Sequence, residues 1–315
     1  MRRTLLNILQ GETGLSEERI LQIANNPDEE YKRYKIRQGK KLRQIEEPKE
    51  ELKALQTAYL PLLVDYPLDN ACVARPGLGV ADNARVHTGA RYLLKVDIKG
   101  CYQAIRYQTT MRSFPAGEWW SIVKSGLKLG FCRQSPLDPW MLPTGAPTSP
   151  ILCNIALTPL DKELSAIARE ENYRYTRYLD DMIFSTTAAR RKWSLIDEVT
   201  ERIRNHGYKP NQKKTRWLTR DTDVLAVTGV SVGRMNAASR EIKRSTRTRL
   251  FQLAMAGLPI DQYTQGYLAY IKSIDEYAYV KLLNYYQRKR REYEIAQQQC
   301  ARAQQILHGD SSNER

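Results

Sequence analysis

Three carboxylates define the chemistry this chain could perform. Asp180 and Asp181 stand between residues 173–178, where aromatic residues alternate with basic or polar ones, and the apolar, β-prone run 182–185. That pattern predicts a hairpin with both acids at its tight turn. Asp97 ends a second β-prone run, residues 92–98. If the two strands lie side by side, three acids meet at one end of a sheet. Charges of one sign held that close repel, so cations must offset them. Hard divalent ions with oxygen ligands, chiefly Mg²⁺, suit such a cluster. Two ions about 3.5–4 Å apart would clamp the attacking and leaving oxygens of an in-line phosphoryl transfer. That reaction asks mainly for positioning and charge neutralisation. A bare Asp-Asp pair is most often an ordinary turn. Here the apolar flanks, the second strand-ending Asp and the basic chain argue for more.

The elements that must position these acids can be sketched from periodicity. Residues 50–63 carry Leu52, Leu55, Tyr59 and Leu62 at helical spacing. Residues 41–45 alternate basic and apolar, as a half-exposed strand does, and Pro48 closes it. Residues 70–90, rich in Gly, Ala, Asn and Pro, read as loop. A helix is expected from Tyr102. The stretch 136–150, dense in Pro, Gly, Thr and Ser, reads as a loop leading into a helix with Leu152, Ala156, Leu160, Leu164 and Ile167 on one side and Pro159 inside it. A further helix with Trp193, Ile196, Val199 and Ile203 should stop at Gly207. From Arg240 onward the chain reads as helical and basic, with a frayed tail over 308–315.

Composition narrows the class. Over 315 residues, Lys+Arg 50 against Asp+Glu 35 leaves a net charge of +15 and a pI near 9.6. An excess this large points to a polyanion, most often nucleic acid. Hydrophobic residues make up 42% of the chain, enough for a core. No apolar run is long enough to cross a bilayer, so no membrane role is expected. The N-terminus makes a poor secretory signal. Five scattered cysteines without a CxxC pair argue against disulfides and structural zinc, and fit a reducing cytoplasm. Three histidines leave little for a His-based metal site or a Ser-His-Asp triad.

The acids sit in a recognisable series of motifs. Tyr178-Leu179-Asp180-Asp181 resembles the YxDD motif of reverse transcriptases, and Asp97 in Val96-Asp97-Ile98 resembles their first palm aspartate. Between them, residues 142–150 with Asn154 and Leu160-Asp161 are similar to the LPxGxPxSP…N…LD signature of bacterial members. Gly207, Asn211 and Lys214-Thr215 follow as GxxxN..KT. Asn83, Ala84 and His87 resemble the NAxxH element, and Val227-Thr228-Gly229 the VTG triplet, of the retron type. The resemblance covers roughly residues 30–290. It departs at Thr144, where many relatives carry Gln, at Gly100-Cys101-Tyr102-Gln103, which replaces an FFPS-like run, and at Leu179, usually Ala.

The resemblance implies an α+β, right-hand polymerase fold with fingers, a palm built on an antiparallel sheet, and a helical thumb. The expected divisions are N-terminal helices and fingers over 1–90, palm over 91–235 with a finger insertion at about 105–140, thumb over 236–307, and a flexible tail over 308–315. No RNase H, endonuclease or protease domain is expected. By resemblance, Asp97, Asp180 and Asp181 hold two Mg²⁺ ions. Lys41 and Arg43 touch the incoming triphosphate. Tyr102 is the steric gate against a ribose 2′-OH, Thr144 lines the nucleotide site, and Lys214 approaches the pyrophosphate or is a plain surface lysine. Asn83 and His87 position RNA, unless His87 is structural, as a lone histidine in a loop more often is; Arg288, Lys289, Arg290 and Arg291 meet duplex backbone, unless the four are simply a solvated helix end. Tyrosines between 263 and 286, interleaved with Lys and Arg, suit base stacking, and several should be helix core.

The implied activity is that of a retron RNA-directed DNA polymerase. It would copy a structured non-coding RNA (msr-msd) from dNTPs into single-stranded msDNA, primed from a 2′-OH of an internal guanosine. The type acts in anti-phage defence with a separate effector protein. Two alternatives stand beside this reading. One is another defence-associated or group II intron-like reverse transcriptase. The other is an RNA-binding scaffold with an idle palm.

Overall fold

The computed structural model describes residues 1–39, 41–133, 135–233 and 235–309; for Gln38, Lys41 and residues 305–309 it describes the backbone. Strands are β1 (Tyr31–Gln38), β2 (Lys41–Pro48), β3 (Tyr92–Asp97), β4 (Arg174–Tyr178), β5 (Asp181–Thr186), β6 (Arg216–Thr219), β7 (Ala226–Val227), β8 (Val230–Val232) and β9 (Asn236–Ala237). They form a β1–β2 hairpin, a four-stranded antiparallel sheet in the order β4-β5-β3-β6, and a small β7-β8-β9 sheet.

The four-stranded sheet carries the acids. Its central strands β3 and β5 are Val, Ile, Leu and Phe-rich and buried on both faces, as in Leu93, Leu94, Val96, Ile183 and Phe184. One face packs on the Ser149–Glu170 helix, which buries Leu152, Ala156, Leu160 and Leu164 and runs through Pro159. The other face carries Leu93 and Ile183, and packs with Val227, Val230 and Val232 of the small sheet.

The N-terminal helices Arg3–Thr13 and Glu50–Tyr59 share the main core with the segment after β3. The Tyr59 hydroxyl donates to the Val123 carbonyl at 2.7 Å, and the Gln56 amide to that of Leu129 at 2.7 Å. Helices Arg240–Met255, Gln262–Ile274 and Glu276–Gly309 form a separate core around Leu250, Leu268, Ile271 and Leu282.

The structure departs from the sequence reading at several points. Residues 70–90 contain a helix, Val80–Val86, whose first turn is closed by the Asp82 carboxylate accepting from the Gly79 N–H at 2.8 Å. The helix expected over 50–63 breaks at Leu60, and Pro61 opens a separate turn, Pro61–Val64. Trp193 lies outside the Leu195–Asn205 helix and is exposed. The last helix reaches Gly309, two residues into the expected tail; residues 310–315 lie outside the described residues. Among the described residues, no helix is long and apolar enough to cross a membrane.

Candidate active site

Strand pairing brings the three acids together. Asp97 sits directly across from Asp181 at the ends of β3 and β5, and Asp181 pairs with Tyr178 across the β4–β5 hairpin. Directly opposed residues place their Cβ atoms within about 5 Å. The two-residue loop, Leu179 and Asp180, has a positive φ of 55° at Leu179, its first central position. A positive φ at that position belongs to the primed hairpin turns, where Gly is the usual residue and the turn suits the twist of the flanking strands. Leu in that conformation is strained.

The acids disfavour one another's charge. Burial, then Asp181 and Asp97, push the Asp180 carboxyl above the usual carboxylate range. Asp181 is also pushed up, first by desolvation and then by Asp97, against the pull of Lys95 and Lys214. Asp97 is buried, and its oxygens are engaged. Lys214 Nζ donates to one at 2.5 Å and Asn211 Nδ2 to the other at 2.7 Å. Both donors come from residues 209–215, laid along the end of β3 by the Lys99 N–H on the Lys209 carbonyl and the Asn211 N–H on that of Asp97. The hydrogen bond to Asp97 raises the Lys214 pKa and keeps its ammonium charged.

Among the described residues, no three acidic, histidine or cysteine side chains close into a metal cage. The donor set nevertheless fits a hard cation. It offers carboxylate oxygens on neighbouring strand ends, charges that resist ionising together, and an ammonium already drawn to one of them. Asp97, Asp180 and Asp181 are the residues that could hold a divalent ion.

A cleft of about 470 Å³ opens beside them, lined by Arg43, Gln44, Asp97, Tyr102, Gln103, Thr144, Asp180, Asn211 and Lys214 among others. Tyr102 sits on the one-turn helix Cys101–Ala104, which Gly100 introduces with a positive φ of 59°. Burial raises its phenol pKa, so it stays neutral. Thr144 accepts from Gln103 Nε2 at 3.1 Å through its hydroxyl, and its backbone pairs with buried Glu46 of β2. A Cβ on Gly145 would come 3.1 Å from the Glu46 carbonyl, so Gly is needed for that approach. Arg43 is exposed on β2 at the cleft rim. Lys41 lies on β2, but its side chain is outside the described residues.

One expected assignment is corrected. Asn83 and His87 are fully buried and present nothing to RNA. His87 Nε2 and Nδ1 lie 2.7 Å from the Thr176 and Ser185 hydroxyls, and Thr176 donates to Asn83 Oδ1 at 2.5 Å. Thr176 thus spends its proton on Asn83 and accepts from Nε2–H, while Ser185 donates to Nδ1. The NAxxH residues pin the Val80–Val86 helix to β4 and β5. Arg288, Lys289 and Arg290 lie on the last helix, where Glu292 and Glu294 pair with them, so three charges of the run are partly offset. Arg291 is exposed and has no ion pair among the described residues.

The buried imidazole makes a pH prediction. Burial, and then Arg174, lower the His87 pKa to about 3. A histidine held neutral in the fold leaves stability intact above its ordinary pKa and removes it as pH falls toward the folded value. Stability at pH 5 should therefore lie below that at pH 7.5 by about 2 kcal/mol from this group. Urea unfolding of wild type and His87→Gln at both pH values checks this. An equal pH dependence in the two proteins would remove the assignment.

Several residues of the site had no role assigned from the sequence. Lys95 faces Asp181 electrostatically from within β3, and burial lowers its pKa. Asn211 holds Asp97; its place three residues before Lys214 was the available signal. Arg177, Asn154 and Asp161 form a buried network under the turn.

Comparison with known proteins agrees with this arrangement. A family model described as reverse transcriptase (RNA-dependent DNA polymerase) matches residues 32–274. The retron Mx65 reverse transcriptase of Myxococcus xanthus is 31% identical over 263 residues, 77% of this chain and 58% of that protein. The retron Ec86 reverse transcriptase of Escherichia coli is 24% identical over 287 residues, 89% of this chain and 88% of that protein. The chain thus spans a little over half of the first relative and most of the second. Among solved structures, a telomerase from Candida albicans in complex with a fragment of telomeric RNA aligns with a TM-score of 0.50 and 12% identity. It covers 90% of this chain and 60% of that one, a likeness of fold alone. The strand-end acids, the mixed helix-and-sheet right-hand polymerase fold and the family match converge: the chain belongs to the reverse transcriptase (RNA-dependent DNA polymerase) family and is similar to its retron-type members.

Proposed function

We propose that this protein is the RNA-directed DNA polymerase of a retron. It copies a structured msr-msd RNA into single-stranded msDNA, primed from the 2′-OH of an internal guanosine. The observation that carries the polymerase reading is the register that sets Asp97 across from Asp181, beside a cleft with cations on its rim. Family membership implies dependence on a divalent metal. In this reading Asp97, Asp180 and Asp181 hold two Mg²⁺ ions, which when bound neutralise charge developing on the transferred phosphoryl group.

The chain's own groups supply the rest. Arg43, with Lys41 on the same strand, draws the triphosphate by charge. The neutral Tyr102 ring, which lines the same cleft as Asp97, serves as the gate against a ribose 2′-OH. Lys214 exchanges its contact with Asp97 for the departing pyrophosphate, carrying its proton on Nζ. The β1–β2 hairpin and N-terminal helices serve as fingers, the four-stranded sheet as palm, and the helices from Arg240 as thumb. The thumb's exposed Tyr263 and Tyr277 suit base stacking, whereas Tyr270, Tyr279 and Tyr286 pack on its core. We place the protein in the cytoplasm, acting with a separate effector in anti-phage defence.

Sequencing the nucleic acid that copurifies with the protein tests the retron reading. A branched RNA–DNA molecule is the expected result. Linear cDNA would point to another kind of reverse transcriptase, and RNA alone to a scaffold.

A further inference from the structure

The turn that carries Asp180 and Asp181 rests on a buried arginine. Arg177 is wholly buried on β4, two residues before the strained Leu179. Its guanidinium divides its donors between two jobs. Nε donates to Asp161 Oδ1 at 2.8 Å and Nη2 to Asp161 Oδ2 at 2.6 Å. Nη1 donates to Asn154 Oδ1 at 2.9 Å and to the Leu179 carbonyl at 2.9 Å.

The anchor is itself fixed. Asn154 and Asp161 are seven residues apart on the Ser149–Glu170 helix, two turns along one face. The Tyr175 hydroxyl donates to Asp161 at 2.8 Å, and Asn154 Nδ2 to the Ala74 carbonyl at 2.6 Å. The Arg177 backbone is held as well: its N–H donates to the Ala71 carbonyl, and its carbonyl accepts from the Val73 N–H. Only a planar fork with fixed donor directions can grip a carboxylate on one side and a carbonyl on the other.

We propose that Arg177, seated on Asp161 and Asn154, is a positioning residue for the catalytic turn. By holding the Leu179 carbonyl it fixes the peptide leading into Asp180. The turn then stays in a conformation its Leu would otherwise leave, and the two acids stay aimed at Asp97. The Asn and Asp of the long motif thereby act on the active site from beneath the sheet, without touching substrate or metal. This rests on the polymerase reading above.

The test is Arg177→Lys in the full chain. Lysine keeps the charge opposite Asp161 but cannot span both partners. Mn²⁺ binding is read by electron paramagnetic resonance of the free ion, with Asp181→Asn as the baseline for other sites. DNA synthesis and thermal midpoint are measured alongside. We expect Mn²⁺ half-saturation to rise and kcat to fall, each on the order of 10–100-fold, with KM for dNTP changed much less. Adding Leu179→Gly to Arg177→Lys should recover part of both losses, because Gly adopts the positive φ freely. Wild-type Mn²⁺ affinity and turnover in Arg177→Lys would overturn the proposal, as would a deficit that Leu179→Gly leaves unmoved. If Arg177→Lys does not fold, Asn154→Ala carries the same readouts; a several-fold weaker Mn²⁺ affinity is expected, and no change overturns the proposal. Wild-type protein that makes no DNA would instead sink the polymerase reading, and the Mn²⁺ titration would still report on the turn.

Discussion

Asp181→Asn is expected to abolish DNA synthesis, by on the order of 10³-fold or more, while RNA binding persists. The substitution keeps shape and removes one charge. Asp181 heads β5 directly opposite Asp97, so its loss leaves a divalent ion with fewer anionic ligands at the sheet end. The fold should not suffer, because the Asp181 carboxyl is disfavoured as an anion by desolvation and by Asp97. Primer extension on a generic template and a filter-binding measurement on RNA read the two properties separately. Synthesis that survives the change would remove the metal assignment. Parallel loss of RNA binding and synthesis would mean that the variant is misfolded or that the cleft is mainly an RNA site.

Asp161→Ala is expected to cost about 3–5 kcal/mol, since it strands a wholly buried guanidinium without its counter-charge. Arg177 would lose the acceptor of its Nε and Nη2 bonds, and the Tyr175 hydroxyl would lose its partner too. In a chain of this size the thermal midpoint should drop by roughly 5–8 °C. Glu163, two residues away on the same helix, is the comparison. It pairs with His206 and Arg202 at the surface, and its replacement by Ala should change stability by less than about 1 kcal/mol. Calorimetry of both variants separates the cases, and near-equal midpoints would contradict the buried-pair argument.

The legible part of the site was the part written in strand ends. Asp97 and Asp181 each sit at the boundary of a β-prone run, and antiparallel neighbours bring such boundaries together. The Pro- and Gly-rich loop before the Ser149–Glu170 helix was readable for the same reason, because punctuation residues are local signals. Arg177 was not legible. Residues 173–178 alternate aromatic and polar, as a half-exposed strand would, yet Tyr175, Thr176 and Arg177 are all buried. The carboxylate that makes Arg177 tolerable there sits on a helix, and no local pattern announces the pairing. Asn83 and His87 failed in the opposite direction. Their Gly-, Ala- and Asn-rich surroundings look like solvent-facing loop, while their partners Thr176 and Ser185 arrive from strands far along the chain. The strand Tyr31–Gln38 went unassigned because nearly all its side chains are exposed, leaving no apolar stripe to see.

The helices from Arg240 onward keep an apolar interior of their own, with Ile274 leaning on both it and the small sheet. In the proposed function, gripping and chemistry would thereby fall to separately packed parts of the fold. The C-terminal helices can breathe, or open locally, without releasing the strand ends that aim the acids. If those helices hold the template as proposed, variation in them would retune that hold while the strand ends stay folded, leaving the two properties free to evolve at different rates.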